Sequence, residues 1–232
     1  MKTQPRALLA LDAAALIGVA VATFMVFGYA PLERVMGAVQ KVFYFHVAAG
    51  WVGMLGFLAA VVAAVAYLTT RKPAWDLVGL GAIEIGLTFM FINIVTGAIW
   101  ARPIWNTWWT WDPRLTTATI MELVYAAYLM LRSGIEDPER RLRFAAVYAI
   151  VGFISVPLTF FSIRIYRTIH PVVIGSGDPT ATGSFSMTPA MGLTFAVSLV
   201  AFSILFASLL WHRIRLGELA QRVEQMRMRL SH

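Results

Sequence analysis

The chain has 232 residues, 59% of them hydrophobic and 13% charged, with a mean hydropathy of +0.72. A water-soluble domain of this length cannot hide so much apolar surface, so the composition points to an integral membrane protein. The net charge of +7 does not signal nucleic acid, because the cations fall between apolar runs, where they set membrane topology. There is no cysteine, which excludes disulfides, thiolate metal sites and covalent haem attachment through Cys-x-x-Cys-His.

A membrane helix needs about 20 mostly apolar residues, and six stretches qualify: 8–28, 46–68, 77–100, 115–131, 144–163 and 190–211. The first follows Lys2 and Arg6 and is too long for a signal-peptide apolar region of roughly 7–15 residues, so a retained helix is expected. The fourth is the shortest. Lys2, Arg6, Arg71, Lys72, Arg132, Arg140, Arg141, Arg143, Arg213, Arg215, Arg222, Arg227 and Arg229 mark one side, thirteen of the nineteen cations. Arg34, Lys41, Arg102, Arg114, Arg164 and Arg167 mark the other. The positive-inside rule makes the first side cytoplasmic, with both termini inward. The expected architecture is an all-α, single-domain membrane protein (1–232) with six transmembrane helices. Its outward loops are 31–45, 101–116 and 164–189, and a basic polar helix, 212–232, lies along the inner surface or meets a partner.

Five of the eight tryptophans sit within twelve residues: Trp100, Trp105, Trp108, Trp109 and Trp111, leading into Asp112-Pro113-Arg114. An aromatic belt at the membrane edge accounts for Trp51, Trp75 and Trp211, but a belt is spread over many helix ends. Trp105, Trp108, Trp109 and Asp112 have the spacing of one face of a short helix on the membrane surface. Such a face is a stacking platform for a flat aromatic ligand.

Two of the four histidines, His46 and His170, fall on the outward side. Neutral imidazoles arriving from separate helices are suited to ligate iron in a macrocycle from opposite faces. Arg102, Arg114, Arg164 and Arg167 lie near enough in sequence to pair with the two carboxylates of haem. Asp112 reads as orienting Arg114 or a loop amide. Glu84 and Glu122 lie within spans, where a carboxylate needs a partner or a proton. Glu84 and Asn93 suit interhelical contacts, and Glu122 lies close enough to support the loop from behind.

The run from Trp100 to Thr116 resembles the "WWD" signature of haem-handling membrane proteins. With the segments Phe45-His46-Val47-Ala48-Ala49-Gly50-Trp51 and Tyr166-Arg167-Thr168-Ile169-His170-Pro171, it is similar to the CcmC family, the haem exporter protein C of cytochrome c maturation system I. Ala101 and Asn106 stand where glycines are expected, and Ala48 where a proline is. The resemblance implies a protein of the bacterial inner membrane that holds non-covalent haem b at the periplasmic face. His46 and His170 are then the axial ligands and the tryptophan loop lies against the ring. It implies delivery to a periplasmic haem chaperone, with ABC-transporter subunits and a small single-span protein as partners, and not metabolic catalysis. A respiratory cytochrome b subunit would instead place histidines deep in facing helices. A permease would line several spans with polar residues at mid-depth.

Overall fold

Pro5, Pro73, Pro113, Pro138 and Pro189 each stand at, or just before, the first residue of a helix. The computed structural model describes residues 4–166, 168–170 and 187–230, whose regular structure is helical apart from one bridge between Glu33 and Gly37. The helices are α1 (Arg6–Phe24), α2 (Val42–Thr70), α3 (Ala74–Trp105), α4 (Pro113–Ser133), α5 (Pro138–Gly152), α6 (Ser155–Ile165) and α7 (Pro189–Leu230). Pro113 and Pro138 open α4 and α5, where a missing N–H costs nothing. Asp112 and Asp137 cap them by accepting the Leu115 and Arg140 amides at 2.8 and 2.6 Å.

Among the described residues five stretches are long and apolar enough to cross a membrane: Arg6–Tyr29, Ala38–Thr70, Ala74–Trp105, Pro138–Ile165 and Pro189–Leu230. The fourth expected span, now α4, has 21 residues, about 31 Å of helix, but is less apolar. Its hydroxyls turn back on the backbone, Thr117 to the Pro113 carbonyl and Thr119 to the Leu115 carbonyl, and protein walls it on several sides. Tyr125 stacks face to face on Phe57 of α2 at 3.6 Å, and Arg132 pairs with Asp76 of α3. The fifth span is broken into α5 and α6. Pro157 cannot donate to the Phe153 carbonyl, which takes a tighter bond from the Val156 amide at 3.0 Å instead.

The tightest pair is α2 with α3. A Cβ on Gly56 would stand 2.7 Å from the Ala82 carbonyl and 2.8 Å from Gly86 Cα, so only small residues permit this approach. α1 packs on α7, where Asp12 accepts from Ser208 at 2.6 Å and from His212 at 3.0 Å. Glu84 is held by Arg213 of α7, the interhelical role expected of it. Glu122 Oε2 is buried and has no hydrogen-bond partner. The basic tail is not a separate surface helix, because α7 runs unbroken for 42 residues.

Candidate functional site

At one end of the bundle α3 outlasts its expected span and carries Ala101–Trp105 as helix, with Pro103 inside it. Asn106 ends it in the left-handed region, φ 55°, and non-helical chain fills 107–112. The short surface helix expected to align Trp105, Trp108, Trp109 and Asp112 is therefore absent. The left-handed Asn106 stops one helix, and Asp112 with Pro113 starts the next only seven residues later. The tryptophans are gathered by tertiary packing instead. Trp100 is buried and meets Trp105 edge-on at 5.6 Å, and Trp109 meets Trp111 in the same way.

His46, in the first turns of α2, is 8% exposed. Its Nδ1 lies 2.9 Å from the Asn93 carbonyl of α3. A carbonyl only accepts, so this contact puts the proton on Nδ1 and leaves the lone pair on Nε2, with the Asn93 side-chain amide 3.5 Å away. The Asn93 amide donates to the His46 carbonyl at 2.7 Å, which locks the two helices in this register. Gly97 leaves the space the ring needs, since a Cβ there would lie 2.9 Å from His46 Cε1.

His170 comes from the segment after α6, and its ring centre lies 6.3 Å from that of His46, tilted by 39°. A metal–imidazole bond of about 2 Å on each side of one iron places two ring centres roughly 6 Å apart, so the pair fits axial ligation. Asp112 does two tasks at once. Besides capping α4, its carboxylate accepts the Thr168 hydroxyl, and Thr168 Oγ1 in turn accepts the His170 amide at 3.1 Å. The tryptophan segment and the second histidine are thus fastened together.

Two cavities meet at His46, Asn93, Arg114, Ala118 and His170. One is walled by Trp100, Trp105, Trp108 and Trp109. The other is lined mainly by apolar side chains that include Met54, Met90, Met121 and Phe160. Arg114 stands on the wall of both and donates to the Thr159 carbonyl of α6. Arg164 lines the apolar chamber with its guanidinium over the Phe160 ring at 5.0 Å. Arg102 is exposed and bonds Asn106, and Trp111 is 73% exposed; neither borders a chamber. Arg167 lies outside the described residues, as does most of the third outward loop. Sequence reasoning missed Thr168 and Gly97, whose importance follows only from what they touch.

A sequence model of the family described as Heme exporter protein C matches residues 1–229. The Heme exporter protein C of Bradyrhizobium diazoefficiens is 32% identical, over 97% of this chain and 86% of that protein. Those of Escherichia coli and Rhodobacter capsulatus are each 29% identical, over 82% and 88% of this chain and 74% and 83% of theirs. The match spans the histidine segments, the tryptophan run and the helices that carry them, and the chain belongs to the haem exporter protein C family.

Proposed function

We propose that the protein holds haem b non-covalently at the periplasmic rim of the bacterial inner membrane and delivers it to a periplasmic haem chaperone during cytochrome c maturation. Haem is cargo here, and its iron offers two axial positions. The observation that carries the reading is the approach of His46 and His170, from separate elements, to 6.3 Å at the chain's densest cluster of indoles.

The chain's own groups divide the work by chemistry. The Asn93 carbonyl sets the His46 tautomer, and the bond from Thr168 to Asp112 sets His170. The indoles of Trp100, Trp105, Trp108 and Trp109 offer flat faces to a porphyrin, each offset contact being worth about 0.5–1.5 kcal/mol beyond burial. The apolar chamber takes the macrocycle's hydrocarbon edge. Arg114 and Arg164 stand ready for its carboxylates, where a charge-assisted bond contributes roughly 1.5–3 kcal/mol. Arg102 and Trp111 belong to the same outward rim and suit the chaperone's approach. ABC-transporter subunits and a small single-span protein complete the expected assembly, with both termini cytoplasmic.

The deciding experiment compares His46→Ala and His170→Ala with the unmodified protein, purified from haem-replete cells. Both variants are expected to lose haem absorbance and to fail in loading the chaperone. Haem content unchanged in both would reject ligation by these residues. Fast reduction of bound haem by a quinol would favour a respiratory role instead.

A further inference from the structure

The last turns of α7 carry a surface that the haem site does not use. Leu216, Leu219, Val223, Met226 and Leu230 are all at least 49% exposed, and their spacing is that of a and d in successive heptads. Arg215, Arg222 and Arg229 then occupy g, and Arg227 occupies e. Glu218 and Glu224 fall at c and b, away from the seam. The Arg222–Glu218 pair, 3.8 Å apart and half exposed, neutralises little.

The direction of α7 decides what can cover this seam. Gly217 is the last residue packed on the bundle, against Leu77, and every residue from Glu218 to Leu230 is exposed. The 42-residue helix is about 63 Å long, twice the roughly 30 Å hydrocarbon layer. Because it continues its membrane span without a break, its end projects away from the bilayer, and the stripe faces sideways where acyl chains do not reach. A second copy is also unsuitable. In a parallel pair g meets the next e, placing Arg222 against Arg227, and in an antiparallel pair g meets g, again arginine on arginine.

We propose that the projecting end of α7 is a docking helix for an amphipathic helix of a partner protein, with an apolar a/d seam and carboxylates at its e and g positions. Complementary charges at e and g set both partner choice and register.

The chain lacks cysteine, so Val223→Cys gives a single site for a spin label on the full protein in phosphatidylcholine nanodiscs. The probes are two synthetic heptad peptides with Leu at a and d, one with Glu and one with Lys at e and g. The Glu peptide is expected to immobilise the label and the Lys peptide to leave it free. Arg222→Glu with Arg227→Glu should exchange that preference. Leu219→Asn should weaken Glu-peptide binding by roughly tenfold or more, as loss of a central apolar anchor does. Far-UV circular dichroism checks that each variant keeps its helix content. Three results would overturn the proposal: Glu-peptide binding unaffected by Leu219→Asn, a label more accessible to lipid-dissolved oxygen than to an aqueous nickel complex, or dipolar broadening between labels of paired copies. The second points to a membrane surface and the third to self-association.

Discussion

Replacing Thr168 by valine is the sharpest probe of how the second histidine is held, because the shape is kept and only a hydroxyl is lost. That hydroxyl donates to the Asp112 carboxylate and accepts from the His170 amide at 3.1 Å. A bond to a charged group contributes about 1.5–3 kcal/mol and a neutral one about 0.5–1.5, so roughly 2–4 kcal/mol of positioning is removed. Thr168 is 6% exposed, so water replaces these bonds poorly. Part of the loss is spread over relaxation of the segment, and outer partners of metal ligands typically change affinity by about 10–100-fold. Haem titration followed by Soret absorbance should show a loss of that size, with the low-spin signature of two axial nitrogens weakened. Thr168→Ser, which restores the hydroxyl, should recover most of the affinity. In a double-mutant cycle Asp112→Asn should be strongly non-additive with Thr168→Val, because the two groups form one link. Unaltered affinity and spectrum in Thr168→Val would refute the argument that Asp112 and Thr168 position His170.

Gly97→Ala should lower haem affinity by about tenfold or more with helix content intact. Its methyl group would stand 2.9 Å from His46 Cε1, and displacing a ligand ring by a few tenths of an ångström degrades its aim. Equal haem affinity would mean that the ring can shift without loss. Haem should also be released on acidification, since a proton and iron compete for the same nitrogen lone pair. The sign is fixed, with retention at neutral pH and loss in acid. A haem off-rate that does not rise on acidification would argue against histidine ligation.

Much of the fold was legible because the bilayer constrains sequence harshly. Every span must be long, apolar and internally hydrogen-bonded, so runs such as 46–68 and 190–211 announce themselves. α4 was the least distinct, and the reason is visible in Thr116, Thr117, Thr119 and Glu122. A helix walled by other helices can carry polar residues that a lipid-facing one cannot. The break at Phe153 was written in Pro157, yet the apolar run across it hid the signal. In the tryptophan segment, helical spacing suggested a surface helix. Asn106 and Asp112 overrode that periodicity by ending one helix and starting the next.

Sequence alone determined the class of molecule, the number of apolar runs, and which residue types, indoles and imidazoles, crowd the outward segments. Those depend on composition and local pattern. Only the tertiary structure decided that His46 and His170 come within 6.3 Å, that the His46 Nδ1 meets the Asn93 carbonyl, and that Thr168 binds Asp112. It also separated Arg114 and Arg164, which line the chambers, from Arg102, which does not. The physical reason is distance along the chain. These partners are 47 to 124 residues apart, and no local propensity specifies which helix faces will meet until glycine-lined surfaces such as Gly56 against Gly86 set the packing.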